Sequence, residues 1–135
     1  MKKATTKERL RELMQERGLK QIDIVNLADE ESFVLIDEIC AGTDPTEGAL
    51  LAKTILEYLA EKGVTSVVTT HYGELKSLEY TNSYFKNASV EFDISTLKPT
   101  YKLLIGIPGV SNAILVASNL GLPQEISDKA KDLLH

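Results

Sequence analysis

Leu10, Leu13 and Met14 recur at the i, i+3, i+4 spacing of one helical face and predict a helix over residues 7–17. Thr6 stands at its N-cap position and Gly18 at its C′ position. Ile22, Val25 and Leu27 extend the reading to a second helix over 19–28, which the polar run Asp29-Glu30-Glu31 stops. Phe33-Val34-Leu35-Ile36 is an unbroken apolar run, the pattern of a parallel strand buried on both faces. Asp44-Pro45-Thr46-Glu47 opens the next helix with a cap, a first-turn proline and a glutamate at capping-box spacing. Leu51, Ile55 and Leu59, flanked by Ala52 and Leu56, give that helix its apolar face, and Gly63 ends it near residue 62. Residues 64–70 are rich in β-branched side chains and read as a second strand. Strand, helix and strand make one βαβ unit, for which a right-handed crossover and a parallel pair are expected. A short helix is expected over 73–80. Antiparallel strands follow over 88–92 and 100–105, joined by a turn at 93–99. Helices over 111–120 and 123–134, separated by Gly121, close the chain.

With 135 residues, 43% hydrophobic and 26% charged, the chain has room and composition for one folded domain, or one domain plus an appendage. No apolar run approaches the ~20 residues of a membrane helix, and the charged start carries no apolar core of a secretory signal. Cys40 is the one cysteine, so an internal disulfide is excluded. A lone thiol fits a reducing compartment, and the cytoplasm is the expected location. Without a cysteine cluster, and with His71 and His135 as the two histidines, a structural zinc site is not expected. The net charge of −5 divides unevenly. Residues 1–28 carry seven Lys/Arg against four Asp/Glu, and residues 29–135 carry eight against sixteen. The acidic body does not read as a phosphate-tracking surface, and the change near residue 28 marks a junction.

Two adjacent carboxylates, Asp37 and Glu38, close the first apolar strand, although charge is costly to desolvate. In open α/β sheets ligands bind beyond the carboxyl ends of the strands. A carboxylate there can hold a hydrated magnesium ion while its neighbour orients or deprotonates a water. The competing reading makes both solvated residues where a strand leaves its sheet. His71 follows Thr69 and Thr70 at the end of the second strand, on the same expected edge. Its imidazole can donate one hydrogen bond and accept another, which suits a phosphate oxygen or a water as well as an ordinary loop contact. The loop 41–48 leads to a helix N-terminus that could face an anion. Capping is the nearer role for Asp44 and Glu47. A phosphate-cradling G-x-x-x-x-G-K-[ST] loop is not present, and the sequence holds no Gly-Lys dipeptide. Nor does it hold G-x-S-x-G or H-E-x-x-H. The acidic neighbours of Cys40 oppose a thiolate, so it reads as a packing residue.

The segments Phe33-Val34-Leu35-Ile36-Asp37-Glu38, Ala41-Gly42-Thr43-Asp44-Pro45-Thr46-Glu47-Gly48 and Thr69-Thr70-His71-Tyr72-Gly73-Glu74-Leu75-Lys76 closely resemble the MutS family in its bacterial MutS-two branch. Asn87-Ala88-Ser89-Val90-Glu91-Phe92-Asp93, Pro99-Thr100-Tyr101, residues 106–109, Ser111-Asn112-Ala113 and Leu120-Gly121-Leu122-Pro123 continue the resemblance over about 28–134. It implies the C-terminal half of an ABC-type P-loop ATPase domain. In that reading residues 33–37 resemble the Walker B strand, with Asp37 serving magnesium and Glu38 as the catalytic carboxylate. Gly42, Thr43 and Asp44 belong to a loop that resembles one crossing the dimer interface at the nucleotide. His71 resembles the switch histidine that senses the γ-phosphate. Family members are dimeric ATPases that bind mismatched or branched DNA and restrain recombination, and some act on stalled ribosomes. The family's Walker A loop, adenine-stacking region and signature segment precede the Walker B strand and are not in this sequence. Val110 stands where the family often has arginine, and Ile39-Cys40 where it often has Leu-Gly.

Residues 7–25 are similar to the opening of an XRE-type helix–turn–helix domain, but the chain turns into the Walker B strand where a recognition helix would follow. The expected organisation is therefore a helical segment over 1–28, either a chimeric join or a helix–turn–helix remnant, and an α/β ATPase half over 29–135. For the intact parent ATP and magnesium are the expected cofactors and DNA the expected partner. For this chain alone no cofactor, no membrane, no catalytic turnover and a homo-oligomer are expected. Two alternatives stand beside the ATPase fragment: a structural, self-associating chimera, and a DNA-binding module built on residues 1–28.

Overall fold

The apolar run Phe33–Ile36 is strand β1, and it pairs in parallel with β2, Thr65–Val68. The register sets Phe33 opposite Thr65, Leu35 opposite Val67 and Ile36 opposite Val68. The chain is seen here as a computed structural model that describes residues 8, 12 and 21–134. Helix α1 (Gln21–Leu27) precedes β1, and α2 (Pro45–Glu61) is the crossover between the strands. A 3-10 turn (Gly73–Ser77) and the short α3 (Leu78–Thr81) follow. The antiparallel hairpin β3 (Ala88–Asp93) and β4 (Lys98–Ile105) comes next, then α4 (Ala113–Asn119) and α5 (Gln124–Leu133). The described residues thus form a mixed α/β fold with two small sheets and five α-helices. They divide between Ser77 and Leu78 into two compact units. The helix expected over 7–17, its Thr6 cap and its Gly18 stop lie outside the described residues, apart from the helical, exposed Glu8 and Glu12. No described helix is long and apolar enough to cross a membrane.

In the first unit Ala28, Val34, Leu59 and Val64 form the core, with Ile24, Val25, Ile36 and Ile55 packed against it. Both α1 and α2 therefore supply side chains to the cluster that holds the inward residues of β1. The loop between α1 and β1 is an Asx turn, in which Asp29 Oδ1 accepts from the Glu31 amide at 3.1 Å and from the Ser32 hydroxyl at 2.8 Å. Lys62, just past α2, donates to the Asn26 carbonyl at 3.2 Å and so satisfies an acceptor in the last turn of α1. Asp44 caps α2, its Oδ1 accepting from the Glu47 amide at 2.9 Å.

Two expectations are corrected. The apolar run is not buried on both faces. Val34 is buried, but Phe33 and Leu35 are 64% and 65% exposed and Val67 is 55% exposed. The described helices of this unit contribute to the cluster around Val34 and Ile36, and the opposite face stays open. The inward face of α2 holds Ala52, Leu56 and Leu59 as expected, with Ile55 packed on the core, and departs from the expectation at Leu51. Gly48, Ala49, Ala52, Leu56 and Leu59 are buried, whereas Leu51 is 55% exposed. A 3.6-residue period admits two overlapping stripes. Here close contact near the start of α2 selects the one with small residues.

In the second unit the hairpin carries a bulge between Val90 and Phe92. Its turn is fastened by Asp93 Oδ1, which accepts from the Ser95 amide, the Ser95 hydroxyl and the Thr96 amide. Ser118 on α4 donates to Ser127 on α5 at 2.7 Å, and Ser127 is fully buried. Among the described residues of this unit only Leu78 and Ser127 are buried. Glu79 clamps the approach to the hairpin by accepting from Lys86 and from the Asn87 amide.

These contacts give two expected outcomes. Leu59→Ala removes a fully buried side chain and should cost about 3 kcal/mol, read from denaturant unfolding of the first unit. The hydrogen bonds from Lys86 and Asn87 hold the Glu79 carboxyl below its ordinary value of 4.5. A lowered folded-state value means that the clamp is fully present above 4.5 and is lost as pH falls through the lowered value. Glu79→Gln should therefore destabilise the second unit at neutral pH, and the difference from wild type should vanish in acid.

Candidate functional site

The parallel register continues one step past the strands and sets Asp37 opposite Thr69. The Thr69 amide donates to the Ile36 carbonyl at 2.9 Å and the Ile39 amide donates to the Thr69 carbonyl at 3.1 Å. Between those two bonds the Thr69 hydroxyl donates to Asp37 Oδ1 at 2.6 Å and accepts from the Glu38 amide at 2.8 Å. One hydroxyl thus uses donor and acceptor capacity on the two acidic residues together. Asp37 is exposed, and its side chain is held through Oδ1.

The chain then turns sharply. Glu38 and Cys40 have φ of 52° and 54°, left-handed values uncommon for residues with a side chain, and Gly42 follows at 91°. Ile39, between the first two, is 3% exposed and anchors the turn in the interior of the unit. The Ala41 amide closes the turn on the Glu38 carbonyl at 3.1 Å. No atom lies within 4 Å of where a Cβ of Gly42 would stand, so its positive φ and not crowding selects glycine.

After β2 the Tyr72 amide donates to the Thr70 hydroxyl at 3.0 Å, and the Tyr72 ring packs inward with 5% exposure. Its hydroxyl donates to the Cys40 carbonyl at 2.7 Å. Gly48, in the first turns of α2, leaves the room for that ring. A Cβ there would stand 2.9 Å from Tyr72 Cζ and closer still to its hydroxyl. The exposed His71 ring lies beside Tyr72, centroids 4.7 Å apart and tilted by 39°. Burial pushes the half-buried Cys40 thiol up from its ordinary value, which favours the thiol over the thiolate.

Asp37, Glu38 and His71 all lie past the carboxyl ends of the paired strands and are exposed there. Gly42, Thr43 and Asp44 form the exposed approach to α2. The Asp44 carboxylate occupies the helix N-terminus itself, so that terminus serves the cap. Sequence reasoning passed over Thr69, Tyr72 and Gly48 as working residues. Extending the strand register by one position points to Thr69. The Tyr72–Gly48 approach has no sequence signal, because it joins residues that only the packed α2 brings together.

No group of three or more His, Cys, Asp or Glu poised for a metal occurs among the described residues. A single oriented carboxylate suits magnesium, which keeps waters and takes its remaining ligands from phosphates. The donor set at Asp37 fits that ion and does not fit a caged one.

Residues 10–135 match the family description MutS domain V. The chain is 58% identical to Endonuclease MutS2 of Caldicellulosiruptor saccharolyticus over 113 residues, which cover 84% of this chain and 14% of that protein. Identity is 54% to the Endonuclease MutS2 of Acetivibrio thermocellus and 53% to that of Symbiobacterium thermophilum, over the same shares of each chain. The chain thus spans about one seventh of the length of these relatives. Taken with the motif order along the paired strands, these matches place the chain in the MutS family, in its MutS2 branch, as a domain V sequence.

Proposed function

We propose that this chain is the Walker B and switch-histidine part of a P-loop-type ATPase domain, belonging to a parent that couples ATP hydrolysis to DNA binding as a dimer. The observation that carries the reading is the Thr69 hydroxyl fastened to both Asp37 and the Glu38 amide. A pair of merely solvated carboxylates needs no such bridge. In this reading Asp37 is the residue that would hold hydrated magnesium, and the ion would supply positive charge to offset the phosphates. Glu38, turned away from the strand by its left-handed backbone, accepts a hydrogen bond from a water and takes its proton as the water attacks. His71 donates an N–H to the phosphate that is being released. Gly42, Thr43 and Asp44 line the approach to the nucleotide.

The family membership supports the DNA and dimer parts of the reading for the parent alone. Residues 29–135 carry eight basic against sixteen acidic groups, which disfavours direct phosphate tracking by these residues. Without a Gly-Lys phosphate loop, Asp37 and Glu38 repel phosphates, so this chain by itself is not an ATPase in the proposal.

The test has two arms. Calorimetric titration of magnesium–ATP into the purified chain should show no micromolar binding. Mixing it with a polypeptide carrying the preceding part of a MutS2 relative should produce turnover. Glu38→Gln should then lower kcat by about 100-fold, the usual scale for a lost general base. Turnover that survives Glu38→Gln, or none in any mixture that forms a complex, would overturn the proposal.

A further inference from the structure

We infer that Tyr72 is a positioning residue of this site: its hydroxyl holds the left-handed turn 38–42, and with it Glu38, in place between the end of β2 and the start of α2. The inference deepens the hydrolytic reading and rests on it for the role of Glu38, but the clamp itself is independent of nucleotide.

Four contacts converge on this residue, three of them on its side chain. The hydroxyl donates to the Cys40 carbonyl, two residues beyond Glu38. The backbone amide is tied to the Thr70 hydroxyl, one residue past the Thr69 that bridges Asp37 and Glu38. The His71 ring lies against the Tyr72 ring. The fourth contact is steric, since Gly48 is the position where a side chain would collide with the phenol. A turn with two left-handed non-glycine residues relaxes toward ordinary backbone unless its surroundings hold it. The Ile39 side chain and amide pin the turn on one side. On the other side, the Tyr72 hydroxyl is the bond that fixes the Cys40 peptide.

Purely structural burial predicts something different. The phenyl ring alone would fill the space beside Gly48, and deleting the hydroxyl would leave the turn where it is.

Cys40 makes the two readings separable, because it is the one thiol in the chain and lies inside the turn. Tyr72→Phe keeps the ring and removes the bond. Alkylation of Cys40 by iodoacetamide in the purified chain should then accelerate about fivefold, the factor corresponding to one net hydrogen bond. The acceleration should not change in sub-denaturing urea, since a local opening exposes little surface. Tyr58→Phe, on an exposed face of α2, should leave the rate unchanged. Gly48→Ala, which displaces the phenol, should accelerate alkylation at least as much as Tyr72→Phe. An unchanged rate in Tyr72→Phe, or an acceleration that grows with urea as global unfolding does, would sink the inference. Should the variants not fold, hydrogen exchange on the wild type decides. The Ala41 amide must be protected beyond the rate of an open loop, and unprotected exchange there would refute the clamp.

In the mixture that supports turnover, Tyr72→Phe should lower kcat by a larger factor than it raises the KM for ATP, because Glu38 is displaced while Asp37 stays held by Thr69. If alkylation accelerates but kcat holds, the positioning role fails and the hydrolytic reading stands. If no mixture turns over, the hydrolytic reading fails, and the alkylation result still decides whether the clamp exists.

Discussion

The acidic edge of this chain is organised around the Thr69 hydroxyl. Two parallel strands of four residues each are too short to fix side chains beyond their ends by backbone pairing alone. Thr69 extends the pairing. Its backbone continues the ladder through Ile36 and Ile39, and its side chain takes up Asp37 and the Glu38 amide. Asp37 and Glu38 therefore leave the sheet in a defined geometry, although both are exposed. A charge-assisted hydrogen bond of this kind is about twice as strong as a neutral one, which is why a solvent-facing contact can still orient a carboxylate.

The helix behind the edge is fitted to the same purpose. The buried stripe of α2 begins with Gly48, Ala49 and Ala52 and becomes large only at Leu56 and Leu59. At the large end Leu59 builds the core with Val34 and Val64. The small end lets Tyr72 come close enough to reach the Cys40 carbonyl. One helix thus does two kinds of packing along its length, and the division explains why Leu51 points outward.

The elements themselves were legible because each carries its own signal. The capping residues before Pro45, the β-branched run after Gly63 and the apolar run at Phe33 each identify an element without reference to the others. The antiparallel hairpin was likewise visible in its alternation and its polar turn. Contacts between elements were less legible. The expectation that Phe33 and Leu35 are buried came from a rule about complete parallel sheets, and the described pair has cover on one face. The α2 stripe holds at Ala52, Ile55, Leu56 and Leu59 and fails at Leu51, because periodicity does not say that the first turns meet a tyrosine 24 positions later and need small residues there. Asp37, Glu38 and His71 were singled out from strand ends alone. The bridge by Thr69 and the clamp by Tyr72 needed a register and a packed helix.

The energetics of the turn explain why so many contacts meet there. Holding Glu38 and Cys40 in the left-handed region costs about 1–2 kcal/mol each. Burying the Ile39 side chain returns about 2–3 kcal/mol. The bonds from the Ile39 amide, the Glu38 amide and the Tyr72 hydroxyl each add about 1 kcal/mol net. The favourable side thus exceeds the strain by only a few kcal/mol, and no single contact covers it. A turn balanced in this way is not an intrinsic preference of its sequence. It exists only while β2, the start of α2 and Tyr72 are in place together, so the position of Glu38 reports on the packing of those elements. Any change that separates α2 from the end of β2 should be felt at the acidic edge, because the turn stays in place only while the contacts from β2 and Tyr72 hold it.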